Sequence, residues 1–177
     1  PNLYHRDSPD CKDDNPTRKA RLRDTTIIKD IEGAIGFLKS HSRVDGGKLG
    51  IVGFCMGGRL VYLMSAASRD IKAGVMFYGG GTMVPFGEGP TPFERTSEIN
   101  CPIQGHFGAE DKNPSPEDMR KLDAELTKFG KAHEFHTYAG AAHAFVNTGS
   151  SNYRPRAAAL SWPKAMEFFS RHLVGTK

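Results

Sequence analysis

The sequence predicts an α/β domain with a mostly parallel sheet flanked by helices on both faces. Short apolar segments alternate with longer amphipathic ones, the arrangement in which a covering helix returns each strand to the sheet. Turns rich in Gly and Pro separate them, and 177 residues, 38% hydrophobic and 25% charged, suffice for one core.

Each element follows from its own pattern. Over 22–42 the apolar residues Ile27, Ile28, Ile31, Ala34, Ile35 and Leu38 recur at helical spacing, with Asp24 placed to cap the start. Asp45-Gly46-Gly47 turns the chain into 48–54, an apolar run that reads as a strand buried on both faces. A helix fits 57–67. The segment 73–78 is a second apolar strand, closed by Gly79-Gly80-Gly81. A loop rich in Gly and Pro then runs to Asn100, long enough to expect a functional or mobile segment. Beyond it come a strand at 102–107, a helix at 117–129, a strand at 133–138 and a last helix at 157–173 behind Pro155. Chemistry on such sheets gathers at the carboxyl ends of the strands, which constrains every candidate residue below.

Composition narrows the function classes. No apolar stretch is long enough for a membrane helix. The net charge is only +4, and the basic cluster Arg18, Lys19, Arg21 and Arg23 lacks interleaved aromatics or a nucleic-acid motif, so it reads as a solvated face. Neither a nucleic acid nor a membrane is the expected partner. Three dispersed cysteines, Cys11, Cys55 and Cys101, do not form a disulfide framework; reduced thiols and a cytoplasmic setting follow. No secretory or transit leader opens the chain, yet Pro1-Asn2-Leu3-Tyr4 looks like the tail of an earlier element. The expectation is one domain over residues 1–177 whose first strands precede the sequence.

The sharpest motif is Gly53-Phe54-Cys55-Met56-Gly57-Gly58, lying between a predicted strand and a predicted helix. It has the form of a nucleophile elbow with Cys in place of Ser. An abrupt strand-to-helix turn strains the central residue, and small residues two before and two after keep strand and helix from colliding. The thiol would project beside a helix N-terminus, where the dipole favours a thiolate, and the Met56 N–H would serve as one oxyanion donor. The alternative is a small buried cysteine in a Gly-rich turn.

Two further placements agree with the elbow. Gly108-Ala109-Glu110-Asp111 follows a strand directly and offers Asp111 as the orienting acid, with Glu110 and Asp118 as nearby competitors. His143, in a run of small residues after the last strand, can serve as general base. The order Cys, Asp, His is the chain order of α/β-hydrolase triads. His133 and His136 stand three apart on one strand, hence on opposite faces, and cannot share a metal; neither a metal nor a cofactor is expected. Cys101 reads as packing and Cys11 as exposed.

With Cys55, Asp111 and the segment from His143 through Thr148-Gly149-Ser150-Ser151-Asn152-Tyr153 in view, the chain resembles the dienelactone hydrolase (carboxymethylenebutenolidase) family over nearly its whole length. Pro1-Asn2-Leu3-Tyr4 looks like that family's Pro-Asp-Leu-Tyr segment, and Tyr78-Gly79 like the pair that follows its next strand. The resemblance implies an α/β-hydrolase fold, a Cys55–His143–Asp111 triad, a thioester acyl-enzyme, and substrate contacts at Tyr78 and at position 147. It also implies earlier strands, a second oxyanion donor and a glutamate that contacts the resting thiol, none of which this sequence contains. Dienelactone-cleaving members carry an arginine four residues after the histidine; here it is Asn147, and a neutral amide cannot replace a bidentate ion pair. The expected activity is therefore dienelactone hydrolase-like cleavage of a small ester or lactone, with dienelactone itself disfavoured as the substrate. A general carboxylesterase or thioesterase on the same fold, or a non-catalytic binding or redox-sensing module, are the alternatives.

Overall fold

The computed structural model describes residues 1–175. In chain order it contains helices α1 (Asn15–Ala20) and α2 (Asp24–Ser40), strand β1 (Leu49–Phe54), helix α3 (Met56–Ala67) and strand β2 (Ile71–Phe77). There follow a 3-10 turn (Phe93–Glu98), strand β3 (Ile103–Gly108), helix α4 (Pro116–Lys128), strand β4 (His133–Tyr138) and helix α5 (Pro155–Phe169), which ends in a π turn (Ser170–Val174). Every predicted strand and helix is present, and α1 is an addition. The four strands pair in parallel in the order β1-β2-β3-β4. Phe54 pairs with Phe77, Phe77 with His106, and His106 with His136, so the carboxyl ends of the strands share one rim.

Helices cover both faces. Ile27, Ile31 and Ile35 of α2 pack with Leu49, Leu60 and Ile71, while Met119, Leu122 and Leu126 of α4 pack with Val61, Ile103 and Phe107 on the same side. The opposite face carries Ala73, Val75 and Phe77 against Ala165 and Phe168 of α5. Beneath α5 lies a buried polar group: His106, pushed down to about 3 by burial, is neutral. A Gln104 carbonyl oxygen accepts from its Nε2 (2.7 Å), which leaves Nδ1 to accept from the Tyr138 hydroxyl (2.8 Å).

Two expectations are corrected. The strand at 48–54 is not buried on both faces: among the described residues β1 stands at the edge of the sheet, and Val52 (47%) and Phe54 (37%) stay exposed, although the Phe54 ring meets Phe77 and Trp162 of α5. Nor is Asp24 the helix cap. Arg23 stands at that position without a side-chain cap bond, and Asp24 is drawn inward to a buried ion pair with Arg59 of α3, 2.7 and 2.8 Å, completed by the Phe86 N–H at 3.0 Å. Arg59 also donates to the carbonyls of Gly81 and Val84 and lies 3.8 Å from the Phe86 ring centre. The long loop after β2 is thus tied to two helices.

Removing one partner of a buried pair leaves an uncompensated charge, so Asp24→Ala should lower stability by about 3 kcal/mol in urea unfolding and expose the 81–92 loop to protease. At the elbow, a methyl on Gly53 would fall on the Gly57 carbonyl, whereas one on Gly57 meets nothing within 4 Å. Gly53→Ala should therefore cost about 3 kcal/mol, and Gly57→Ala, in a helix, should be neutral or gain up to about 1 kcal/mol in the same assay.

Candidate active site

Cys55 forms the apex between β1 and α3 with φ 54° and ψ −118°, a backbone region that residues with a side chain rarely occupy. Its N–H donates to the Phe77 carbonyl (3.0 Å) and its carbonyl accepts from the Arg59 N–H (3.2 Å), which hold the turn in place. The close approach is not symmetrical about the cysteine. Gly53 is required because the Gly57 backbone lies where its Cβ would be, and Gly58 because its Cβ would stand 2.7 Å from the Gly79 Cα at the end of β2. The thiol is solvent-exposed at the N-terminus of α3.

Asp111 and His143 arrive on two loops that are pressed together. A side chain at Gly108 would strike the Ala141 carbonyl; in its absence the Ala109 N–H reaches the Tyr138 carbonyl (3.0 Å) and the Glu110 N–H the Ala141 carbonyl (2.9 Å). Asp111 is consequently buried, accepting from His143 Nδ1 at 2.9 Å and from the Asn113 N–H at 2.9 Å. Its two competitors are placed elsewhere: Glu110 is exposed, and Asp118 closes a capping box with Ser115 at the start of α4.

Electrostatics follow from this geometry. The His143 imidazole is raised to about 10, first by its bond to Asp111 and then by its bond to Cys55, against partial burial. The Cys55 thiol is lowered from its ordinary 9.0, first by the His143 hydrogen bond, which outweighs partial burial, and further by the imidazole's charge and the Met56 N–H. Each group thus favours the charged form of the other, thiolate at Cys55 and imidazolium at His143.

The remaining expected contacts divide. The Met56 N–H faces the Cys55 sulfur and helps to lower the thiol. Tyr78 is buried at φ 40°, its ring edge-on to His143 at 5.0 Å and to Phe145 at 5.5 Å. It props the imidazole instead of lining the opening. Asn147 is exposed and uses its side-chain oxygen to accept the Gly149 N–H (3.0 Å), closing a local turn. Cys55 and His143 border a cleft of about 210 Å³ whose far wall includes Gly80, Phe86 and Asn113. Sequence reasoning missed Arg59, Asn113 and Phe86. Arg59 had a readable cue, a lone charge at the head of the apolar run Leu60 to Met64.

Cys101 is buried and Cys11 half-buried near Arg21. His133 faces Asp123 of α4 and His136 stacks on His106 under α5, on opposite faces. Among the described residues no group of three His, Cys, Asp or Glu side chains is placed to hold a metal ion, and no helix is long and apolar enough to cross a membrane.

The sequence matches the dienelactone hydrolase family over residues 1–173. The chain belongs to that family. A Synechocystis sp. relative assigned as a carboxymethylenebutenolidase is 30% identical over 184 residues, covering 98% of this chain and 74% of its own length. A Bradyrhizobium sp. relative, assigned as a 2-oxo-3-(5-oxofuran-2-ylidene)propanoate lactonase, is 32% identical over 165 residues, 88% of this chain. The chain spans 63% of that relative's length. A crystal structure from Klebsiella pneumoniae assigned as a dienelactone hydrolase superposes with a TM-score of 0.84 at 25% identity, covering 96% of this chain and 72% of that one. The family is one of hydrolases, and its fold is the α/β architecture described above.

Because His143 lowers the thiol, alkylation of Cys55 by iodoacetamide should reach half its maximal rate below pH 9.0, the ordinary thiol value. His143→Ala should move that midpoint up towards 9.0 when the rate is followed at the Cys55 peptide by mass spectrometry.

Proposed function

We propose that this chain hydrolyses a small ester or lactone through the Cys55 thiolate. The observation that carries the reading is the convergence of a strained, exposed Cys55 with a His143 held by the buried Asp111 at 2.9 Å. The lactone-directed names of the relatives support the substrate class.

The thiolate attacks the carbonyl carbon, forming a C–S bond while the carbonyl π electrons move to oxygen. The Met56 N–H is positioned to donate to that oxyanion. Collapse expels the alkoxide, which takes the proton from the His143 imidazolium and leaves a thioester on Cys55. The imidazole, now neutral, accepts a proton from water as its oxygen attacks the thioester; the acid departs and the thiolate–imidazolium pair is restored. Asp111 holds the ring in the tautomer that presents its other nitrogen to the sulfur. A thiolate already charged at rest favours esters with good leaving groups, such as enol lactones and aryl esters.

With a p-nitrophenyl ester, the expected result is a burst of p-nitrophenolate close to one equivalent per chain and an acyl mass increment on the Cys55 peptide. Cys55→Ala should abolish both, and undiminished turnover in that variant would overturn the reading. His143→Ala should reduce kcat by at least about 100-fold.

A further inference from the structure

A second cavity, of about 360 Å³, lies beside the Cys55 cleft and shares two walls with it, His143 and Asn113. The imidazole stands between the two. Their other walls differ in character: Met56, Val84 and Phe86 are among those on the thiol's side, whereas Asn152 and Ala142 complete the second cavity. Glu110 and Lys112 add one charge of each sign there, and Asp111 is already committed to His143. The second cavity is polar without favouring an ion.

Its two amides are uncommitted. Among the described residues neither the Asn113 nor the Asn152 side chain makes a hydrogen bond, although both backbones do: the Asn113 N–H donates to Asp111 (2.9 Å) and the Asn152 N–H to the Ser150 hydroxyl (3.1 Å). The Asn113 side-chain oxygen packs on Gly80, where a Cβ would strike it, and Asn152 is half-buried. Each amide offers both donors and acceptors, the complement of a hydroxyl or carbonyl group on a ligand.

We propose that this cavity is the subsite for the alcohol portion of the substrate, and that Asn113 and Asn152 select a neutral alcohol carrying further hydroxyl or carbonyl groups. The inference rests on the thiolate reading above. In that reaction the departing alkoxide takes its proton from His143, so its oxygen must leave next to the ring and the rest of the alcohol must extend past it. The second cavity begins there. An ester would then place its acyl group in the 210 Å³ cleft with Cys55 and its alcohol across the imidazole.

Acyl transfer to added alcohols isolates this subsite, because an alcohol that attacks the thioester occupies the position the leaving alcohol had. The incoming oxygen forms a C–O bond as its proton passes to His143, and the C–S bond breaks with its electron pair returning to sulfur. Acyl-Cys55 is formed from p-nitrophenyl acetate, and the acetate esters of glycerol and 1-propanol are measured by mass spectrometry for the wild type, Asn113→Leu and Asn152→Leu. The two alcohols are alike in size, and their intrinsic reactivities cancel when proteins are compared. The glycerol-to-propanol product ratio should fall about fivefold in each variant, the effect of one neutral hydrogen bond. A ratio held at the wild-type value in both variants, whatever happens to total turnover, would overturn the assignment. Acyl-Cys55 that passes to water but to neither alcohol would also count against the subsite. If wild-type Cys55 acquires no acetyl group, the hydrolase reading falls and this inference falls with it.

Discussion

The turn between β1 and α3 is the constraint on which the site depends. Strand and helix approach so closely that the Gly57 backbone occupies the space of a Gly53 side chain, and Gly58 lies against Gly79 of the neighbouring strand's end. With no room on either side, the chain can turn only by forcing Cys55 to a positive φ, which lifts its thiol above the rim and seats it at the first N–H groups of α3. Strain of this kind persists because the surroundings over-determine it: Cys55 is bonded at both its N–H and its carbonyl. Tyr78 and Ala144, the other non-glycine residues at positive φ among the described residues, stand beside the same rim.

From that point the chemistry is one of charge. Asp111 is removed from water and pairs with His143, whose imidazole is raised to about 10, and an imidazolium there in turn favours a thiolate at Cys55. Folding stability is linked to the same proton. A histidine raised above its ordinary 6.5 contributes stability that is full below that value and is lost as pH rises through about 10. The second buried pair, Asp24–Arg59, plays no part in the proton movements. It ties the loop that forms the far wall of the cleft to α2 and α3, and so defines what the thiol can reach.

Much of this was legible in the residues. Alternating patterns located all four strands and their helices, because a parallel sheet covered on both faces leaves apolar runs that a sequence cannot disguise. That Cys55, Asp111 and His143 would meet was readable because each follows its own strand, and adjacent parallel strands bring those ends to one rim. What escaped was whatever depends on partners distant along the chain. Asp24 reads locally as a cap, and nothing nearby reveals Arg59, 35 residues on. The burial of β1 was overread because an apolar composition reports what a strand could bury, not what covers it. Asn147 and Tyr78 occupy family positions, yet one closes its own turn and the other supports the imidazole from behind.

The central claim is that His143 carries a proton at rest because Asp111 and Cys55 both hold it. Nitrogen-resolved NMR of the His143 ring across a pH titration tests this most directly. The expected spectrum is that of an imidazolium through neutral pH, titrating near 10 in the wild type and lower once Cys55 is replaced by Ala. A ring that is neutral at pH 8 and titrates near 6.5 in both proteins would contradict it.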